Sequence, residues 1–347
     1  TIMFFASDNA GPALPDVMQA LTDANTGYQM PYGNDTVMDE VRQTLRDLFE
    51  APEATIYLVT TGTAANSLAL ASYTQPWDTI FCSSVAHIHK DECNAPEFYA
   101  GGAKLTLVPG TDRMTPDALR ATITNEQNRG VHGPQRGPVS ITQVTEQGGV
   151  YSVEEIQALS AVAKEFDLPV HLDGARFANA LVALGCTPAE MTWKSGVDMV
   201  SFGGTKNGCM GVEAVIFFEP SKAWEFELRR KRGAHLLSKH RYLSAQMSGY
   251  LKNDAWLKAA TKANANCTHL LSGLKANGAN ILHSVDANII FATLPRAVHQ
   301  KLLGSGAVYY VMGGDVDAGY PEEQLMARFV CDWSLSTQQI DQFISLF

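Results

Sequence analysis

Val170-His171-Leu172-Asp173-Gly174-Ala175-Arg176, followed further on by Ser201-Phe202-Gly203-Gly204-Thr205-Lys206-Asn207-Gly208, is the part of the chain whose reading decides the fold. The run Leu168 to Leu172 is short, apolar and ends at Gly174, the pattern of a parallel strand buried on both faces. Side chains on a strand alternate, so His171 and Asp173 share one face at its carboxyl end. In open α/β sheets, ligands bind at that end. Val197 to Phe202 gives a second buried strand, and it empties into a glycine-rich turn that carries Lys206. Glycines on both sides of a lysine allow backbone and ligand to approach closely.

The chemistry follows from these residue types. A carboxylate at Asp173 suits a pyridinium nitrogen, because it holds the ring protonated and able to accept electrons. Arg176 offers a two-pronged fork to a carboxylate. Lys206 supplies an amine, and the Thr205 hydroxyl beside it a hydrogen bond for a phosphate. An acid and then a lysine, each after a buried strand, is the order of a pyridoxal phosphate site. A lysine in a solvated loop is the plain alternative for this stretch alone.

These motifs resemble the low-specificity threonine aldolases, in the branch that includes phenylserine and allo-threonine aldolases, and the likeness runs from Ser7-Asp8-Asn9 to Arg328. The resemblance implies an α/β fold of the fold-type I pyridoxal phosphate class: a mostly parallel sheet flanked by helices, plus a small C-terminal α+β domain. The large cofactor-binding domain is expected over 10–242, and the small domain over 243–347 together with 1–9. Also implied are pyridoxal 5'-phosphate as cofactor, retro-aldol cleavage of a 3-hydroxy amino acid to glycine and an aldehyde, and a homo-oligomer, a dimer of dimers whose subunits share active sites. A β-eliminating lyase on the same cofactor is the competing expectation. Gly204-Thr205 before Lys206 and the insert Asp91 to Pro96 mark one branch and leave the substrate's size open.

Composition sets outer limits. A chain of 347 residues that is 46% hydrophobic can bury a large core, and its net charge of -10 argues against binding to nucleic acid backbones. Cys82, Cys93, Cys186, Cys209, Cys267 and Cys331 show no paired spacing, as expected of reduced thiols in the cytoplasm. No apolar run reaches membrane-spanning length, and nothing at the start reads as a secretion signal.

Other candidate residues enter in chain order. Ser7 matches the family's serine on the substrate carboxylate, and a helix-capping role fits it equally. Tyr32, by the same resemblance, lies near the active site of its own or of a neighbouring subunit. Gly62 and Thr63 follow the strand Ala54 to Val59 and open an alanine-rich helix, whose unpaired N–H groups make a phosphate cradle. His87 matches the family's ring-stacking histidine and candidate base. With His89 it also forms a His-x-His pair, the basis of a metal-hydrolase alternative, although no metal ligand set is expected. His132 matches a second histidine on the substrate side.

Arg229, Arg230, Lys231, Arg232, Lys239 and Arg241 make the chain's densest positive run. The family draws a phosphate ligand from this region across a subunit boundary; Lys239 and Lys231 lead. A solvated face, or a nucleic-acid surface, is the other reading of the run. One long helix is expected from Leu243 to Ala276, capped by Gly278. Arg328, on a late strand, matches the family's arginine for the substrate carboxylate.

Overall fold

The structure is a computed structural model that describes residues 3–347. Thr1 and Ile2, part of the segment assigned to the small domain, lie outside the described residues.

The central sheet has seven strands in the spatial order Thr55–Val59, Glu213–Phe217, Met199–Gly203, Val170–Gly174, Gln135–Thr142, Asp78–Ser83 and Lys104–Val108. Glu213–Phe217 runs antiparallel to both of its neighbours, and all other neighbouring pairs are parallel. The short return from Gly203 explains the exception, since a parallel partner requires a crossover of a dozen residues or more. Every residue of the three strands 170–174, 199–203 and 213–217 is buried.

Period-two alternation sorts the sheet's side chains into two layers. Ile56, Leu58, Leu172, Val200, Ala214 and Ile216 join the main core, beneath the helices Thr36–Leu48, Val153–Glu165 and Phe177–Leu184. Tyr57, Val59, Met199, Val215 and Phe217 face the other way, toward the helices Gly62–Ala71 and Ala223–Arg232. Ser152 and Glu155 start the helix Val153–Glu165 with a reciprocal capping box.

The expected single helix over 243–276 is two helices, Arg241–Leu251 and Ala255–Ala276. Asn253 and Asp254 break it with left-handed backbone at φ 54° and 56°, a region that Asn and Asp tolerate better than other side chains. The first helix and the start of the second bury Leu243, Met247, Tyr250, Trp256 and Ala260 in the main core. The second then carries Cys267, Leu270 and Leu274 into a separate core. Gly278, at φ 80°, ends it as expected.

That separate core belongs to an antiparallel sheet of Tyr310–Met312, Gln324–Val330, Ile289–Pro295 and Asn280–Ile281. Ala307–Val308 and Tyr310–Met312 are divided at Tyr309, whose ring turns inward onto Phe329 with centroids 4.6 Å apart. Met3–Phe4 pairs in parallel with Ala307–Val308. This pairing ties the start of the chain to the small sheet and leads Ser7 and Asp8 toward the large one.

Candidate active site

Strand register fixes the site. Thr142 lies opposite Asp173, and Asp173 opposite Ser201. Gly203 lies opposite Glu213, which faces Val59. The segments leaving these positions, with Glu146, Arg176, Lys206 and Gly62-Thr63, therefore emerge along one edge of the sheet. His87 follows the parallel strand Asp78–Ser83 at the same edge.

Asp173 is buried with both carboxylate oxygens positioned: Oδ1 accepts from the Ala175 amide at 3.1 Å, and Oδ2 accepts from Asn66 Nδ2 at 2.9 Å. Asn66 Nδ2 also donates to Glu92 Oε1 at 2.9 Å, and Glu92 Oε1 lies 2.8 Å from His87 Nδ1. Because Glu92 accepts, the imidazole carries its hydrogen on Nδ1 and leaves Nε2 free. The hydrogen bond to Glu92 raises the His87 pKa against the opposing effect of burial, with help from Asp173. Burial also pushes Glu92 upward.

His171, two residues before Asp173, is fully buried between the Ser140 and Ser201 hydroxyls, at 2.9 and 3.0 Å. Burial drives its pKa down to about 4, so it is a neutral brace across three strands.

His87, Glu92 and Asp173 bring ligand-type atoms within 4.8 Å of one another. The Asn66 amide donates to both carboxylates, and an N–H donor there does the work of holding them together. His89 is not part of the group.

The lysine turn is braced on both sides. The Gly204 amide donates to buried Glu213 Oε2 at 2.8 Å, and Asn207 Nδ2 donates to Tyr250 Oη and to the Trp256 carbonyl, both at 2.8 Å. A Cβ on Gly203 would strike the Ala175 carbonyl, and one on Gly204 would lie 2.6 Å from the Val212 carbonyl. Thr205 Oγ1 accepts from the Val212 amide at 3.2 Å, so this hydroxyl closes its own turn. Lys206, between these anchors, is half-buried.

Arg176 spends its fork on Asp8, Nε to Oδ2 at 2.7 Å and Nη2 to Oδ1 at 3.0 Å, and Asn288 Nδ2 adds a bond at 3.1 Å. Burial works against the charge on Asp8, but Arg176 and then Lys206 hold its pKa below the usual value. Arg328 is half-buried, and burial followed by the charge of Arg176 lowers its pKa. Among the described residues, its guanidinium has no hydrogen bond or ion pair. Two guanidiniums facing one carboxylate leave an attraction for a second. Ser7, beside Asp8, accepts from the Asn9 amide at 3.1 Å.

Other candidates are not brought to this edge. His132 is exposed and precedes Gln135, which pairs with Asp78 at the amino ends of their strands. The eight-residue strand Gln135–Thr142 spans about 25 Å, so His132 stands at the opposite end of the sheet. Exposed Tyr32 donates its amide to Ser238 O at 3.1 Å and lies under Lys231 Nζ, 4.9 Å from its ring centroid. Tyr32, Lys231 and the segment carrying Lys239 thus form a separate, exposed group. The basic run is not one solvated face: Arg230 is buried against Tyr57 and donates to Leu58 O, and Arg229 pairs with Glu225.

At the start of helix Gly62–Ala71 the cap is Thr61, which accepts from the Ala64 amide at 3.1 Å. A Cβ on Gly62 would meet nothing within 4 Å, so the space before this helix is open.

Asn66, Glu92, Glu146, Asp8 and Glu213 were not singled out from sequence. Glu92 and Glu146 lie in segments that leave a buried strand at its carboxyl end, a weak trace, whereas Asn66 lies inside a helix and Glu213 opens a strand. The donor set fits pyridoxal phosphate: a carboxylate held by an amide and a backbone N–H with lone pairs to spare, an imidazole, a braced amine, glycines where backbone crowds, and an open helix amino terminus.

A family model described as β-eliminating lyase matches residues 5–297. The chain belongs to that family. Within it, a low specificity L-threonine aldolase of Pseudomonas aeruginosa is 39% identical over 97% of this chain and 94% of its own length. Among solved structures, threonine aldolase from Leishmania major superposes with a TM-score of 0.91 at 24% identity, covering 99% of this chain and 98% of that one. A serine palmitoyltransferase from S. paucimobilis, solved with bound pyridoxal phosphate, shares the fold at a TM-score of 0.70 and 20% identity, covering 99% of this chain and 86% of that one. Among the described residues, no helix is long and apolar enough to cross a membrane.

Proposed function

We propose that this protein is a pyridoxal phosphate-dependent aldolase that cleaves L-3-hydroxy-α-amino acids, of the threonine, allo-threonine or phenylserine type, to glycine and an aldehyde. The observation that carries this reading is the meeting of Lys206, Asp173, His87 and the Arg176–Arg328 pair at one sheet edge, in a chain of this family.

Each residue then has a task. Lys206 Nζ would hold the cofactor through its aldehyde carbon. Asp173 takes the ring nitrogen's N–H, with Asn66 fixing its rotation. His87 lies over the ring face with Nε2 free to take or relay a proton. Gly62 and Thr63 present helix N–H groups to the phosphate, and Thr205 and a lysine, Lys239 or Lys231, from a neighbouring subunit complete its binding. Arg328, Arg176 and Ser7 hold the substrate carboxylate, and Tyr32 borders the site of a neighbouring subunit. When bound, pyridoxal phosphate supplies an electron sink for whichever bond at Cα stands perpendicular to its plane. By fixing the carboxylate, Arg328, Arg176 and Ser7 would determine which substituent of Cα is placed to depart.

We infer a cytoplasmic homotetramer, a dimer of dimers, with the large domain at 10–242 and the small one at 243–347 plus 1–9. The exposed apolar side chains Tyr28, Met30 and Tyr32 beside Lys231 support a subunit contact there. Six free cysteines support a reducing compartment. A panel of 3-hydroxy amino acids with glycine detection tests the reaction: glycine from at least one member is expected, and none from any would refute it.

A further inference from the structure

His132, which the resemblance places on the substrate side, stands at the far end of the sheet, whereas Glu146 stands at the near one. It follows the strand Gln135–Thr142, whose last residue faces Asp173. Its Oε1 accepts from the main-chain N–H of His87 at 2.9 Å, which fixes the carboxyl beside the imidazole's own backbone. Oε2 is buried and has no hydrogen-bond partner. A buried acceptor left unpaired is destabilising, so its retention needs an explanation.

The groups around Glu146 are Asp173 on the adjacent strand, Cys82 on the strand Asp78–Ser83, Tyr151 beyond the following turn, the hydroxyl of Thr142 and His87, whose main-chain N–H it accepts. Burial, reinforced by Asp173, raises the carboxyl to about 7, while its bonds to Thr142 and the backbone oppose the shift. Of the other carboxylates at this edge, both oxygens of Asp8 serve Arg176; Glu92 shares Oε1 between Asn66 and His87, with its Oε2 also unpartnered, and is thereby tied to the imidazole rather than left to a ligand. Glu146 as a whole residue is only partly enclosed.

We propose that Glu146 is a second acid–base group of this site, which takes the proton of the substrate's β-hydroxyl as the Cα–Cβ bond breaks and then gives it up to Cα; this rests on the aldolase reading above. The O–H bond breaks onto a Glu146 oxygen, and its electron pair becomes the second C–O bond of the aldehyde. The Cα–Cβ pair stays with the glycine fragment, and the proton leaves Glu146 for Cα, directly or through water. No oxidant, reductant or further reactant is consumed. His87, tied to Glu92 through Nδ1, would orient or relay through Nε2, and the Glu146 carboxyl is the group that holds the proton.

The test uses the holoenzyme and L-threonine. Glu146→Gln keeps the volume and an oxygen for the His87 N–H but cannot take a proton. It is expected to lower kcat by about 10²- to 10⁴-fold, with KM and the cofactor's visible absorption little changed. In the wild type, kcat should fall below a limb near pH 7 whose position barely moves with temperature, as for a carboxyl and unlike an imidazole or ammonium. Infrared difference spectra should show a protonated carboxyl lost over the same pH range and missing in Glu146→Gln. A variant within about threefold of wild-type kcat, a limb that shifts with temperature as imidazole does, or a carboxyl band that persists in the variant would each overturn the proposal. If the variant does not fold, the wild-type limb and its temperature dependence decide. A wild type that releases no glycine from any 3-hydroxy amino acid refutes the aldolase reading instead, and the infrared titration still reports whether Glu146 holds a proton.

Discussion

Arg176 grips Asp8 with both arms of its guanidinium, at 2.7 and 3.0 Å, and the side chains are 11% and 2% exposed. This pair joins the turn after the central strand to the chain's amino-terminal segment. Arg176→Leu is therefore expected to leave a buried carboxylate without its partner and to lower stability by about 3–5 kcal/mol. Arg328→Leu removes no pair and should leave the melting temperature near that of wild type. Both should raise KM for amino acids, by about ten- to a hundredfold for Arg328, whose charge is free for a ligand. Urea unfolding beside steady-state kinetics checks the split; equal destabilisation by the two variants would contradict it.

Lys206→Ala should abolish turnover and borohydride-stable attachment of the cofactor. The turn is held by Gly204–Glu213 and Asn207–Tyr250 contacts that do not involve the lysine side chain, so the unfolding midpoint should barely move. Mass spectrometry after borohydride reduction reads the attachment directly.

Asp173→Asn replaces the carboxylate that accepts from Asn66 and from the Ala175 amide. Cofactor is expected to remain bound while kcat falls by several kcal/mol of barrier, on the order of 10²-fold or more, because an amide stabilises a protonated ring poorly. An unchanged kcat in the cofactor-loaded variant would remove Asp173 from that role.

Much of this site was legible because strand ends are legible. Two buried runs ending in Gly174 and Gly203 are enough to place Asp173, Arg176 and Lys206 at one edge. What periodicity does not carry is which loop lies before a strand and which after. His132 was matched by its residue type, yet it precedes its strand, while Glu146, unremarkable in sequence, follows it. Asn66 was hidden for a related reason. It lies inside an alanine-rich helix, and its importance comes from two carboxylates brought to it from residues 92 and 173. The break in the expected helix over 243–276 was equally hard to foresee, because no proline or glycine marks it.

Stability should depend on pH through Glu146. Its folded-state pKa is raised from 4.5 to about 7 by burial, so its contribution is fully present below about 4.5 and is lost as pH rises through about 7. Glu146→Gln does not titrate. Relative to wild type, it should gain stability between pH 5 and pH 8, by at most about 3 kcal/mol. Urea midpoints of both proteins at the two pH values give this difference, and a gap that stays constant or narrows would show that the carboxyl is not held protonated.

The most direct test of the assigned reaction is a product count from L-threonine, because the same cofactor and the same family include enzymes that break a different bond. If the carboxylate clamp and the acid–base groups direct cleavage to Cα–Cβ, the purified holoenzyme will release glycine and acetaldehyde in equal amounts. 2-Oxobutyrate and ammonia as the main products would contradict the aldolase assignment and identify a β-eliminating lyase instead.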